Sequence, residues 1–206
     1  MSDLLTTLNL KQKEAVMFGG RFLLVLAGAG SGKTKTLIAR IAHEVQQGIE
    51  SQSIIAVTFT NKAAREIKER LWQALGSRSS GIMVGTFHRI SNMFLRKYGQ
   101  WVGVASNFQI ITPSDQKKIF RDIFTRIGIP ENGSYQHKNA LNILSDYYKK
   151  SEWPQDLNWR RVLELYIEQV QRDQCLDFDG LIEKALLLYG RPEFQQQVVP
   201  DIYHIL

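Results

Sequence analysis

At 206 residues the chain has room for one large domain or one domain carrying an insertion, and 44% hydrophobic residues supply a core. A single cysteine, Cys175, excludes an internal disulfide, and the four histidines (His43, His88, His137, His204) lack metal-ligand spacing. Residues 1–8 lack the charged and apolar regions of a secretion signal, no apolar run reaches the length of a membrane span, and the net charge of +6 points only weakly to a polyanionic partner, so the chain reads as cytoplasmic.

The first half alternates strand-like and helix-like stretches. Residues 22–27, 54–59 and 82–87 are short apolar runs, the pattern of strands buried on both faces of a parallel sheet. Between them, residues 33–47 and 61–75 carry helical periodicity, the second opened by Asn61 as N-cap and closed by Gly76. Strand, helix, strand, helix predicts an α/β fold built on a parallel sheet. After Pro113 the strand-like runs stop. Pro113-Ser114-Asp115 opens a helix in which Ile119, Phe120, Ile123, Phe124 and Ile127 recur at helical spacing until Gly128 and Pro130. Residues 139–150 and 160–174 repeat the amphipathic pattern, and residues 176–189 are again helical. Residues 201–206 end in an apolar stretch that reads as the start of a strand. The expected organisation is a sheet domain from residues 1–112 and 175–206, interrupted by an all-helical insertion over residues 113–174.

Directly after the first apolar run stand Ala27, Gly28, Ala29, Gly30, Ser31, Gly32, Lys33 and Thr34, followed by a helix. This is the Walker A arrangement, with Ala27 where the strict pattern has glycine. Glycines let the chain turn tightly so that successive amides converge on phosphate oxygens, and the helix adds its positive end. Lys33 is placed to meet the terminal phosphates and Thr34 to offer its hydroxyl to a magnesium ion carried by the nucleotide; these two are the candidate catalytic residues. A glycine-rich turn beside a lysine also arises by chance, but the flanking run and helix favour nucleotide binding.

These residues, together with four further blocks in order, resemble the superfamily 1 helicases of the UvrD, Rep and PcrA type over essentially the whole chain. Leu8-Asn9-Leu10-Lys11-Gln12 is similar to the Q motif. The resemblance implies that Gln12 reads the adenine edge, a task suited to an amide that donates and accepts together; on spacing alone it is an ordinary surface glutamine. Lys35 stands where the family commonly has arginine and lacks a guanidinium plane to lie against the base. Thr58-Phe59-Thr60-Asn61-Lys62-Ala63-Ala64 resembles motif Ia and Gly85-Thr86-Phe87-His88 resembles motif Ib, both of which meet single-stranded DNA in the family. The resemblance therefore implies DNA contacts at Phe59, Thr60, Asn61, Lys62, Thr86, Phe87 and His88. An aromatic ring stacks on any base and a lysine neutralises phosphate; the alternative is a core Phe59 beside a solvated Lys62. Leu176-Asp177-Phe178-Asp179-Gly180-Leu181-Ile182 resembles the return from the helical insertion, where the family's phenylalanine lines a base pocket. Phe178 is that candidate, and a core phenylalanine behind an Asp177 N-cap is the alternative. Within the family, Met83-Val84-Gly85-Thr86-Phe87-His88 and Phe108-Gln109-Ile110-Ile111 look closer to UvrD.

The implied fold is a RecA-like P-loop domain carrying a helical insertion, with ATP and Mg2+ as cofactors and single-stranded DNA as partner. The implied activity is 3′–5′ translocation driven by ATP hydrolysis. Hydrolysis in the family uses an Asp-Glu pair after a strand that Tyr203-His204-Ile205-Leu206 resembles, and a second motor domain with arginine fingers. Neither is found in these residues, so the expectation for this chain is an inactive, monomeric, ATP- and DNA-binding front end. A free-standing non-catalytic nucleotide- and DNA-binding module is the alternative. An unrelated P-loop kinase leaves the Thr-Phe-Thr-Asn-Lys and Gly-Thr-Phe-His blocks without a role.

Overall fold

The computed structural model describes residues 5–130, 133 and 135–205. The chain forms two compact units, one from residues 1–90 with 195–206 and the other from residues 91–194.

The first unit begins with α1 (Leu10–Met17), whose start carries a reciprocal cap: Asn9 Oδ1 accepts from the Gln12 amide while Gln12 Oε1 accepts from the Asn9 amide. Next comes α2 (Lys33–Gln46), entered through Gly32 in the left-handed region, φ 83°. Strand β1 (Ile54–Thr58) leads into α3 (Asn61–Leu75), and β2 (Met83–Thr86) leads into α4 (Phe87–Tyr98). Late in the chain, β5 (Tyr203–Ile205) returns to this unit. The sheet has the order β2-β1-β5 and is parallel throughout, with Thr58 paired to Thr86 and Ile54 to Tyr203. Its core joins Ile38, Ile41 and Ala42 of α2, Ile54 and Ala56 of β1, Ala64, Ile67, Leu71 and Leu75 of α3, and Val84 of β2. On α3 those residues recur every three or four positions, which puts them on one face against the sheet.

The second unit takes in most of α4, then β3 (Gln109–Ile110), α5 (Pro113–Ile127), α6 (His137–Lys150), α7 (Leu157–Arg172), β4 (Cys175–Leu176), α8 (Phe178–Tyr189) and the start of α9 (Pro192–Gln197). Thr112 caps α5 with Pro113 in its first turn, and Gly128 ends it at φ 73°. Phe120, Ile123 and Phe124 of α5 pack with Ala140 and Leu144 of α6 and with Trp159, Val162, Leu163 and Tyr166 of α7. Phe120 and Tyr166 lie parallel with ring centres 4.5 Å apart.

Several expectations need correction. Residues 22–27, expected as a buried strand, form no ladder, and the side chains of Phe22 to Leu26 are 40–85% exposed. An apolar run becomes a strand only where a neighbour offers backbone partners, and no described strand lies beside this one. The cap of α3 is Thr60 rather than Asn61: the Thr60 hydroxyl accepts from the Ala63 amide at 3.1 Å. The third apolar run ends as strand at Thr86, and Phe87 already opens a helix. The helix expected over residues 160–174 begins earlier, behind the Asp156 cap, and stops at Arg172; Gln174 has φ 51°. The helix expected over residues 176–189 starts at Phe178, because Cys175 and Leu176 pair in parallel with Gln109 and Ile110.

Candidate functional site

The phosphate loop is exposed from Ala27 through Ser31 and adopts left-handed conformations at Gly30 and Gly32 (φ 75° and 83°), which glycine alone accepts without strain. The Lys33 ammonium donates to the carbonyls of Ala27 and Gly28 at 2.8 and 2.7 Å, and the Ser31 hydroxyl donates to Gly28 at 2.7 Å. Lys33 is thus folded back over its own loop onto two acceptor oxygens. A phosphate oxygen is a stronger, charge-assisted acceptor than either carbonyl. Thr34 is exposed in the first turn of the 14-residue α2. The donor set therefore fits a triphosphate: one cation, one free hydroxyl, two hinge glycines and a helix N-terminus. Among the described residues no group of three or more His, Cys, Asp or Glu could hold a metal ion.

Gln12 is brought against this loop. Its Nε2 donates to the Ser31 carbonyl at 3.0 Å, while its Oε1 serves the Asn9 cap. A Cβ on Gly32 would stand 2.8 Å from that Nε2, so glycine permits this approach as well as the turn. Lys35, placed beside the base by the resemblance, instead donates to the Thr7 carbonyl at 2.8 Å and ties α2 to the segment before α1. Sequence reasoning missed Arg40. Its guanidinium gathers the carbonyls of Ala15, Val16 and Phe18 at the end of α1, at 2.8–3.3 Å, and pairs with Glu44 at 3.2 Å. Its position within the helical pattern of residues 33–47 gave no sign of these carbonyls.

A second cluster lies in the same unit where β1 and β2 end. Because Thr58 and Thr86 are register partners, the short turn of Phe59 and Thr60 after β1 runs beside the start of α4 after β2. Phe59 is 88% exposed, which removes the core reading of this ring, and it lies 5.7 Å from the half-exposed ring of Phe87 at 56°. Asn61 and Lys62 are exposed in the first turn of α3, and Lys62 forms no ion pair among the described residues. Thr60 and Thr86 spend an acceptor lone pair on helix starts: Thr60 takes the Ala63 amide and Thr86 the Arg89 amide at 3.3 Å. His88 is exposed beside them. The cluster thus combines a two-ring apolar ledge, a free cation and two helix N-termini.

Phe178 belongs to the other unit, as the first residue of α8 and 44% exposed, behind an Asp177 cap. The core reading of this ring is not what the structure adopts.

The chain is similar to known proteins along nearly its whole length. Proteins named ATP-dependent DNA helicase PcrA from Staphylococcus aureus strains COL and MW2 are each 34% identical over 202 residues, covering 93% of this chain and 28% of the relative. The protein of that name from Staphylococcus epidermidis is 33% identical with the same coverage. The chain therefore spans 28% of the length of the curated relatives it matches. No described helix is long and apolar enough to cross a membrane. The family model described as UvrD/REP helicase N-terminal domain matches residues 8–206, which takes in the Gln12 cap, the phosphate loop, the paired loops after β1 and β2 and the Phe178 turn, and the chain belongs to that family, whose fold is RecA-like with a P-loop.

Proposed function

We propose that this chain is the ATP- and single-stranded-DNA-binding front end of an ATP-dependent 3′–5′ DNA helicase or translocase of the UvrD type. The observation that carries this reading is the Phe59–Phe87 ledge: two rings left open to solvent at the ends of adjacent parallel strands, with Lys62 beside them. A soluble fold gives up about 1.5–3 kcal/mol of burial for each large apolar side chain it leaves in water, so such a ledge is expected to serve a ligand. Stacked bases suit it, because every base has a π-face, and phosphates suit Lys62 and the two helix starts. Thr60, Asn61, Thr86, Phe87, His88 and Phe178 complete the DNA-contacting set.

In this reading Lys33 neutralises the terminal phosphates, the loop amides from Gly28 to Gly32 hold the triphosphate, and Thr34 supplies a ligand to nucleotide-borne Mg2+. Gln12 contacts the base edge, and Ala27, at the start of the phosphate loop, and Lys35, after it, complete the nucleotide-binding set. Mg2+ when bound supplies charge neutralisation at the phosphates. Residues 113–174 form a helical insertion within the RecA-like domain of residues 1–112 and 175–206. In this reading hydrolysis and unidirectional movement are properties of the full helicase, and the 206-residue chain by itself is a cytoplasmic monomer that binds both ligands without ATPase activity. Titration with a fluorescent ATP analogue and with labelled oligo-dT tests the reading, alongside phosphate release. Saturable binding of both with no DNA-stimulated phosphate release is the expected result. DNA-stimulated turnover, or failure to bind either ligand, overturns it.

A further inference from the structure

Asp177 is 1% exposed, and yet four groups converge on or next to its carboxylate. Its Oδ1 accepts from the Gly180 amide at 2.7 Å, capping α8. Its Oδ2 accepts from the Tyr166 hydroxyl of α7 at 2.6 Å and faces the Tyr148 hydroxyl of α6 at 3.4 Å. The Tyr166 oxygen in turn accepts from Gln116 Nε2 of α5 at 3.1 Å. Burial, and then the Asp177 charge, hold both phenols well above their ordinary range, so they keep their protons and donate. Burial likewise pushes the Asp177 carboxyl up from its usual value, against the lowering effect of the bonds it accepts. A buried carboxylate is costly unless fully bonded, and a helix cap needs only one acceptor. This group therefore does more than cap: it joins three helices of the second unit to the first turn of α8, where Phe178 stands half-exposed.

We propose that Asp177 is a positioning residue for the DNA contact: by bonding Gly180, Tyr166 and Tyr148 together it fixes the first turn of α8 and so the direction in which Phe178 presents its ring. The proposal rests on the reading of Phe178 as a base contact. Gly180 belongs to the same joint, since a Cβ there would meet Asp177 Oδ1 and the Tyr148 hydroxyl at 3.1 Å. A ring whose backbone is held by a buried, many-partnered joint loses little entropy on stacking, and that is how a single aromatic contributes to affinity.

The test uses the 206-residue chain with fluorescein-labelled oligo-dT, comparing Phe178→Ala, Asp177→Ala, Asp177→Asn, Tyr166→Phe and the double variant Asp177→Ala/Phe178→Ala, with a thermal melt of each. Phe178→Ala is expected to weaken binding about tenfold. Asp177→Ala should weaken it by a similar factor, with the double variant no weaker than either single change to within about twofold. Asp177→Asn retains an acceptor for the Gly180 amide and should recover most of the affinity, which a general loss of stability does not explain. Additive effects in the double variant overturn the proposal, as does wild-type affinity in folded Asp177→Ala; in both cases the Phe178 contact stands. Unchanged affinity in Phe178→Ala removes the contact itself and the proposal with it. Should Asp177→Ala fail to fold, Tyr166→Phe removes the 2.6 Å bond to Asp177, together with the acceptor of Gln116, and carries the same comparison; wild-type affinity there overturns the proposal.

Discussion

Two apolar runs of nearly the same character meet opposite fates in this chain. Phe22, Leu23, Leu24, Val25 and Leu26 lie open to solvent, whereas Ile54, Ile55 and Ala56 are wholly buried. Hydrophobicity does not separate them, for the exposed run is the more apolar. Neighbours do: β1 has β2 on one edge and β5 on the other, with α2 and α3 packed in the same core, while residues 22–27 have no ladder partner among the described residues. Each run also leads into a candidate site. The laddered one leads to Phe59 and Lys62, the unladdered one to Lys33 and Thr34. The contrast teaches that strand identity resides in pairing, and that a loop's chemistry can be set locally, by glycines and a helix start, without a ladder behind it.

The largest effect expected from this contrast is on stability. Ile55→Ala removes a fully buried side chain between two strands and should cost about 2–5 kcal/mol in urea unfolding. Leu24→Ala, 80% exposed, should stay within about 0.5 kcal/mol of the parent. Equal losses would mean that the two runs are packed alike in solution. Next comes the loop behind the unladdered run. Lys33→Ala removes the cation and should weaken a fluorescent ATP analogue by about 1.5–3 kcal/mol, the scale of a charged hydrogen bond. Unchanged affinity would show that without its ladder the loop holds no phosphate.

Much of this was legible beforehand. The helical periodicity of residues 61–75, closed by Gly76, marked α3 apart from its cap, and Gly128 and Pro130 marked the end of α5. The phosphate loop was legible because glycine, lysine and threonine at fixed offsets encode a local conformation. What the sequence concealed depends on distant partners. Residues 22–27 look like β1 until one asks what lies beside them. The ladder of Gln109–Ile110 with Cys175–Leu176 is too short to leave a periodic trace. Nothing near Arg40 announces three carbonyls from α1, nor does Asp177 announce phenols from α6 and α7. Whether Phe59 was core or ledge was likewise open, since a strand end allows either.

Smaller effects sharpen the laddered side of the contrast. Phe59→Ala should weaken oligo-dT binding by roughly 1–3 kcal/mol while leaving the melting temperature unchanged, because the ring is already in water. A drop in melting temperature with no selective loss of DNA would return Phe59 to the core. Lys62→Ala is the gentlest change. It should lower the slope of log affinity against log salt by about 0.7, one phosphate contact, with little change at high salt. An unaltered slope would place the phosphates elsewhere.

The Gln12 amide is engaged at both ends inside the protein, its oxygen on the Asn9 amide and its nitrogen on the Ser31 carbonyl, each at 3.0 Å. A base that turns the amide toward itself breaks both of these bonds, so it gains the difference between two exchanged pairs of hydrogen bonds rather than two new ones. Such exchanges are worth about 0.5–1.5 kcal/mol each at most. Selectivity among nucleotides through this residue is accordingly shallow: adenine and guanine triphosphates should be held mainly by what they share, with the triphosphate setting the affinity and the base only trimming it.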